Sequence, residues 1–192
     1  INLVNGLLDL ARIEARRGED FHIARHDLRD LVREAVDNLY VPGDDRTVEI
    51  APHGDEVPVE VDREKLLLSL TNVLSNAYKY SPGGGAIRVA VVASTTPTDT
   101  QVGVQVSDEG IGMTPLQLER MFERFYRADA SGNIPGTGLG LAIVKDIAAL
   151  HGGSVEAQSR PGQGTTVTLW LPKADTASYE REVAEERSGA PT

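Results

Sequence analysis

The segment NVLSNAYKY at Asn72–Tyr80 decides the fold, together with DEGIG at Asp108–Gly112 and GTGLG at Gly136–Gly140. The first segment lies in a run where apolar residues recur every three or four positions, which predicts a long amphipathic helix capped by Asp62. The second follows an alternating run typical of a strand, and the third opens a further apolar run. Each motif is therefore expected at the end or on one face of a regular element.

The surrounding sequence predicts hairpins separated by helices. Asp27 is a suitable cap for a helix that continues through Leu39, and a later helix is expected from about Thr137 to Leu150, stopped by Gly152. Predicted strands cover residues 21–26, 47–50, 57–61, 86–94, 101–107, 154–159 and 165–171. This order favours an α+β fold, a two-layer sandwich in which a mixed, mainly antiparallel sheet is covered by helices.

The chain divides into three predicted parts. Residues 1–18 form an amphipathic helical stub, residues 19–173 form one globular domain, and residues 174–192 form an acidic tail that we expect to be disordered. Because the chain begins at Ile1 in the middle of a helical pattern, we interpret it as a fragment of a longer parent protein, which could carry membrane segments upstream.

Composition excludes several classes of function. The 192 residues carry a formal net charge of −10, which repels nucleic acid and anionic membrane surfaces. Cysteine is absent, so thiol catalysis and thiolate metal sites are excluded. No apolar run approaches the roughly 20 residues that a membrane span needs. We therefore expect neither nucleic acid nor direct membrane contact for this part of the chain.

The three motifs suit a purine nucleotide. Asp108 at a strand end could accept a hydrogen bond from the amino group of adenine. Guanine has an acceptor oxygen at that position, which the carboxylate would repel. Glycine at 110 and 112 permits close backbone approach, and a glycine-rich helix start can face phosphates. A Rossmann fingerprint would follow a strand directly, and a Walker A loop needs a Gly-Lys pair that this chain lacks. Taken alone, however, the Asn72 and Asn76 stripe also fits a solvated helix face, and Asp108 also fits a capped turn.

Four motifs in order carry a family resemblance. NVLSNAYKYS, DEGIGM, FERFYR at Phe122–Arg127 and GTGLGLAIVK, followed by HGGSVEAQS and a Gly-Thr-rich hairpin, resemble the catalytic ATP-binding domain of bacterial two-component sensor histidine kinases. This domain type belongs to the gyrase, chaperone, histidine kinase and mismatch-repair ATPase superfamily. The resemblance covers roughly residues 20 to 172 and implies the same α+β sandwich. Residues 1–18 resemble the end of the second helix of the dimerisation and phosphotransfer hairpin.

The resemblance implies roles for individual residues. Asn76 would bind Mg²⁺, Lys79 would contact phosphate, and Arg127 would reach the terminal phosphate; these three are the predicted catalytic residues, with Asn76 the metal ligand. Asp108 would read adenine, and residues 128–136 would form a short lid. Phe122 and Phe125 are interpreted as lid-anchoring core. The predicted nucleotide-binding set is Asn72, Asn76, Lys79, Tyr80, Asp108, Gly110, Ile111, Gly112, Met113, Tyr126, Arg127, Gly136, Thr137, Gly138, Leu139, Gly140 and Leu141.

The implied function is phosphoryl donation. The domain would bind ATP and Mg²⁺ and transfer the γ-phosphoryl group, in cis or in trans, to a histidine on the dimerisation domain of a homodimeric parent, for relay to a response regulator. The domain would be cytoplasmic and the parent an inner-membrane receptor. His26, followed by Asp27, superficially copies an acceptor motif, but it lies too close to the predicted domain to belong to a hairpin. The acceptor is therefore expected outside this chain.

Two alternatives stay open at this point. A hydrolysing ATPase of the same superfamily would place a glutamate, the general base for water, where this chain has Asn72, so we expect poor hydrolysis. A nucleotide-sensing or scaffold module without kinase activity would show the same ligand residues.

Overall fold

A computed structural model describes residues 21–39, 41, 43–44, 46–94, 100–128, 134 and 136–174. The predicted helical stub and residues 175–192 of the predicted tail lie outside the described residues. Ala174, which we assigned to the tail, is buried, and its N–H donates to the carbonyl oxygen of Pro58 at 3.0 Å. The folded domain therefore includes at least this residue.

Seven strands and four helices make up the described part of the chain, and most coincide with predicted segments. The helices are α1 Leu28–Asp37, α2 Arg63–Lys79, α3 Pro115–Arg120 and α4 Gly140–Leu150. The strands are β1 Ile23–Asp27, β2 Val48–Ile50, β3 Pro58–Asp62, β4 Ile87–Ala93, β5 Gln101–Asp108, β6 Ser154–Ser159 and β7 Thr165–Pro172.

The main sheet has five strands in the order β2-β4-β5-β7-β6. Strands β2 and β4 are parallel, and the other neighbours are antiparallel, so the predicted mixed, mainly antiparallel sheet is confirmed. Strands β1 and β3 form a separate antiparallel pair. Helix α2 packs against both α1 and α4, and all three helices contact the main sheet, which confirms the α+β sandwich.

The core lies between this sheet and its helices. In α2, Leu66, Leu70 and Leu74 are almost fully buried, on the apolar stripe that the sequence predicts. They pack in one cluster with strand residues such as Val104 and Leu169. The opposite side of α2 is thus available to carry polar residues.

Local capping explains where the helices begin. The Asp27 carboxylate accepts the N–H of Arg29, and the Asp62 carboxylate accepts the N–H of Lys65, as predicted for both caps. Helix α3 was not predicted. Thr114 and Gln117 form a reciprocal capping box at its start, and the three-residue spacing of such a box is recognisable in a sequence.

The predicted start of the last helix near Thr137 is wrong by three residues. Gly138 has φ of 72°, outside the helical region, and its carbonyl oxygen accepts the N–H of Phe125 at 2.9 Å. This contact holds the glycine-rich segment as a loop, so α4 begins only at Gly140. Within the described segments, no helix combines the length and apolar character needed to cross a bilayer.

Candidate functional site

A cavity opens between α2, the start of α4 and the segment that follows α3. Val106 of β5 and Val167 of β7 form its sheet side. All residues of the predicted nucleotide-binding set line the cavity except Gly110 and Leu139. The three motifs, distant in sequence, therefore meet at one concave site.

Asp108 provides a carboxylate at one end of the cavity. Its Oδ1 accepts the N–H groups of Gly110 at 2.9 Å and Thr165 at 3.2 Å. Burial raises the pKa of Asp108, and these two N–H donors, together with the nearby Ser81 hydroxyl, oppose the shift by stabilising the carboxylate. Both backbone donors engage the same oxygen, Oδ1.

The loop after Asp108 depends on glycine for space. A Cβ on Gly110 would lie 2.1 Å from the carbonyl oxygen of Tyr80, and a Cβ on Gly112 would lie 1.9 Å from that of Arg160. Gly112 also has φ of 63°. Gly110 does not line the cavity itself, whereas Ile111, Gly112 and Met113 do.

Helix α2 carries the polar residues of the opposite wall. Asn72, Asn76 and Lys79 follow one another at helical spacing and all line the cavity. Lys79 is exposed as a whole, yet partial burial of its ammonium group lowers its pKa. A cation at the rim of a partly desolvated cavity is suited to contact an anion.

Asn72 has an unsatisfied polar group. Its Nδ2 is buried with no hydrogen-bond partner among the described residues, and a Cβ placed on Gly140 would lie 3.0 Å from its Oδ1. Buried amide groups are normally paired, so an unpaired one beside a cavity marks a position where a ligand acceptor fits. Gly140 provides the room for this side chain at the start of α4.

The glycine-rich segment is only partly at the cavity surface. Thr137 and Gly138 line it, and the Thr137 hydroxyl accepts the N–H of Leu139 at 3.3 Å. Leu139 itself is fully buried, because it shares one face with Ile143 and Ile147 at four-residue spacing. Its side chain therefore belongs to the core and not to the candidate site.

Two residues that precede the lid also line the cavity. Tyr126 lies under the Arg120 guanidinium, with 4.4 Å from Cζ to the ring centroid. Arg127 donates from Nη2 to the carbonyl oxygen of Ile134 at 2.6 Å. The guanidinium that we predicted to reach a terminal phosphate is thus bonded to the lid backbone in this structure.

The interpretation of the two phenylalanines as core is right for only one of them. Phe122 is partly buried and packs on the main core. Phe125 is 58% exposed, has φ of 63°, and donates its backbone N–H to the carbonyl oxygen of Gly138.

Sequence reasoning missed several lining residues. They are Val73, Ala77, Val106, Gln117, Met121, Ala128, Thr165 and Val167. Most are apolar and reach the cavity through tertiary packing, which no local pattern indicates. Thr165 was detectable only as part of the Gly-Thr-rich hairpin, and Gln117 as part of the capping box.

Comparison with known proteins identifies the family. Residues 61–175 match the family model described as "Histidine kinase-, DNA gyrase B-, and HSP90-like ATPase". The chain belongs to this family. The match spans the cavity and all three motifs, so the ATPase-type domain that the sequence predicted is confirmed.

Relatives within the family are sensor kinases. The chain is 35% identical over 178 residues to sensor histidine kinase WalK of Bacillus subtilis, covering 90% of this chain and 28% of WalK. It is 34% identical over 188 residues to sensor-like histidine kinase SenX3 of Mycobacterium tuberculosis, covering 96% of this chain and 45% of SenX3. The chain thus spans less than half the length of either relative.

Solved structures agree with the fold. Full-length ShkA in complex with AMPPNP superposes with a TM-score of 0.74 at 28% identity, over 91% of this chain and 36% of ShkA. The mycobacterial sensor histidine kinase MprB superposes with a TM-score of 0.66 at 27% identity, over 81% of this chain and 100% of that structure. The predicted histidine kinase type of ATPase domain is therefore confirmed.

Proposed function

We propose that this domain binds Mg²⁺-ATP and donates the γ-phosphoryl group to a histidine on the dimerisation domain of a sensor kinase. The observation that carries the proposal is the mixed chemistry of one cavity, whose lining combines the Asp108 carboxylate with Lys79 and the glycine-rich start of α4. A nucleotide has the matching chemistry, since its base offers an amino donor and its phosphates are anionic. The ShkA complex with AMPPNP, an ATP analogue, supports this ligand class.

The residues present fit a magnesium nucleotide. Asn76 supplies an amide oxygen at the phosphate side, which is the oxygen type that Mg²⁺ accepts, and the unpaired Nδ2 of Asn72 fits a phosphate oxygen. When bound, Mg²⁺ would neutralise charge on the phosphate groups. Lys79 would bind the phosphates from α2, and Asp108 would orient the base. Arg127 would reach the terminal phosphate through N–H groups other than the one bonded to the Ile134 carbonyl oxygen.

The proposed reaction is an in-line transfer. The bond between the γ-phosphorus and the β,γ-bridging oxygen breaks, a bond from the acceptor imidazole nitrogen to that phosphorus forms, and ADP leaves with the electron pair. The imidazole proton passes to a base on the acceptor domain. The contribution of this chain is position and charge, which is what phosphoryl transfer mainly requires of a protein.

Neither His26 nor His151 fits the acceptor role. His26 lies on β1 opposite Val59, and His151 is buried at the end of α4. We propose that the parent supplies the acceptor on a dimerisation hairpin, as part of a homodimer, and that a response regulator receives the phosphoryl group. This role places the domain on the cytoplasmic side, where ATP is available.

Water is a poor alternative acceptor. The side chain that faces the cavity at position 72 is an amide, which cannot act as a general base. A hydrolysing ATPase is therefore not favoured.

Phosphate transfer tests the proposal. The domain would be incubated with γ-labelled ATP, Mg²⁺ and a separately supplied dimerisation hairpin from a sensor kinase, and label on the hairpin histidine is the expected result. A hairpin with that histidine replaced by glutamine is the control. Nucleotide binding without any transfer, tested against several hairpins, would favour a nucleotide-sensing module, and rapid release of free phosphate would favour a hydrolase.

A further inference from the structure

The loop that follows Asp108 is held from two sides. The Ile111 N–H donates to the carbonyl oxygen of Tyr80 at 2.9 Å, and the Ile111 carbonyl oxygen accepts the N–H of Gly162 at 2.7 Å. Tyr80 ends α2, whereas Gly162 lies in the turn between β6 and β7. The base-binding end of the cavity is therefore connected to a hairpin whose turn does not itself line the cavity.

Ser159 joins this hairpin to the loop through three contacts. Its hydroxyl accepts the N–H of Met113 at 2.8 Å, donates to the carbonyl oxygen of Gly164 at 2.9 Å, and lies 3.0 Å from Oγ1 of Thr165. A serine hydroxyl has one proton and two lone pairs. Because its proton goes to Gly164, the Thr165 hydroxyl must be the donor in the third contact. All hydrogen-bonding capacity of Ser159 is then used.

The same contacts lead to the carboxylate of Asp108. The Thr165 N–H donates to Oδ1 of Asp108 at 3.2 Å, so the residue that Ser159 holds also orients this carboxylate. The backbones of Gly164 and Asp108 are in close contact, since a Cβ on Gly164 would lie 1.9 Å from the carbonyl oxygen of Asp108. A shift of the hairpin end would therefore move the carboxylate.

We infer that Ser159 is a positioning residue for base recognition: its hydroxyl holds Met113 and Thr165, and through Thr165 it sets the position of the Asp108 carboxylate. This inference rests on the proposed function. Ser159 does not line the cavity, so its effect passes through residues that do. Loss of the hydroxyl would also free the Thr165 hydroxyl to rotate and would leave the Met113 N–H without this acceptor.

The test compares two ligands that differ only at the base. ADP carries the 6-amino group that Asp108 would accept, and purine riboside diphosphate lacks it. The intact chain should prefer ADP by about tenfold or more, the usual effect of a hydrogen bond to a charged acceptor. Ser159→Ala should reduce this preference by at least about threefold, because a displaced carboxylate bonds less well. Ser159→Thr, which keeps a hydroxyl, should restore the preference.

Ser154→Ala is the matched control, because Ser154 lies exposed at the other end of the same strand. Dissociation constants are measured by calorimetry at a temperature where thermal unfolding shows every variant to be folded. A general loss of structure would weaken both ligands and leave their ratio unchanged. An unchanged ratio in Ser159→Ala, with ADP still preferred by the intact chain, overturns the inference. Absence of any ADP binding by the intact chain overturns the proposed function instead.

Discussion

The two ends of the cavity are built differently. At the base end, both backbone hydrogen-bonding groups of Ile111 are paired, and Met113 is bonded to the adjacent hairpin. At the phosphate end, the described contacts include a side-chain bond from Arg127 to the carbonyl oxygen of Ile134. The base end is thus held by a network of backbone and side-chain hydrogen bonds, whereas at the phosphate end the Arg127 side chain can exchange its protein partner for a ligand.

The glycines of the two ends differ at one position, Gly136. Gly110 and Gly112 are required because neighbouring backbone atoms leave no room for a Cβ. In the phosphate motif, a Cβ on Gly138 would meet the backbone of Phe125 and Tyr126, whereas a Cβ on Gly136 would have no described atom within 4 Å. Space within the described structure therefore does not require glycine at 136.

Gly112→Ala should have the largest effect. The new Cβ would meet the Arg160 carbonyl oxygen, a backbone atom that cannot rotate away, and alanine would be held at positive φ. We expect a loss of about 2–5 kcal/mol in unfolding free energy from left-handed strain and overpacking. Denaturant unfolding measures it.

Gly83→Ala is the control for that measurement, since Gly83 has open space around it and no positive φ. Its unfolding free energy should stay within about 0.5 kcal/mol of the parent value. If both alanine variants were equally stable, the base end would be deformable and the contrast between the two ends would be wrong.

Asp108→Ala should remove base selectivity while sparing the phosphate end. A hydrogen bond to a charged group is typically worth about 1.5–3 kcal/mol, so ADP affinity should fall by that amount. Inorganic tripolyphosphate, which has no base, should bind as before. Glu109→Gln is the neighbouring control, because Glu109 is exposed and paired with Arg88, away from the cavity lining. Equal affinity of parent and Asp108→Ala for ADP would refute the assignment.

Sequence patterns predicted the features that depend on residues close together in the sequence. The caps at Asp27 and Asp62 and the stop at Gly152 are local, and the structure confirms them. The strand order is not local: β5 pairs with β7, and β2 lies parallel to β4. Alternation of apolar and polar residues predicts a strand but does not show which strand pairs with it. The strand order could therefore not be predicted from the sequence pattern alone.

The site shows the same limit. The motif residues were identified because short runs of sequence are enough to recognise them. Met121 and Thr165 reach the cavity only through tertiary packing. Leu139 was included because it lies inside a motif, but its spacing to Ile143 determines its burial. The helix start at Gly140 was missed because a contact with Phe125, not local propensity, sets the backbone of Gly138.

Lys79→Met should weaken the phosphate end alone. We expect ADP affinity to fall by about 1–2 kcal/mol, less than for Asp108→Ala, because this partly buried cation keeps part of its interaction with solvent. Adenosine, which lacks phosphate, should bind both proteins equally. Lys145→Met is the control, since Lys145 is exposed on α4 outside the cavity lining. A parallel loss of adenosine binding would mean that the two ends are not independent.

Acid should destabilise the far end of α4, whose first turn forms part of the phosphate end. The Nε2 of His151 accepts the N–H of Asp62 at 2.9 Å, and its Nδ1 donates to the carbonyl oxygen of Ile147 at 2.8 Å. Phe21 packs against the ring, and the Asp62 carboxylate is the charged group that acts on it. Protonation would place a second donor against the Asp62 N–H, so the neutral ring is the form that fits.

Burial lowers the pKa of His151, which sets the sign of the pH effect. The unfolded chain then binds a proton more readily than the folded one. The contribution of His151 to the unfolding free energy is fully present above the unfolded-state pKa of about 6.5. It is lost as the pH falls from that value through the lowered folded-state pKa. The slope cannot exceed about 1.4 kcal/mol per pH unit for one proton. Urea unfolding across this range should show the slope in the parent and in His53→Gln, whose histidine is exposed, but not in His151→Gln. A slope that persists in His151→Gln would assign the acid sensitivity to other groups.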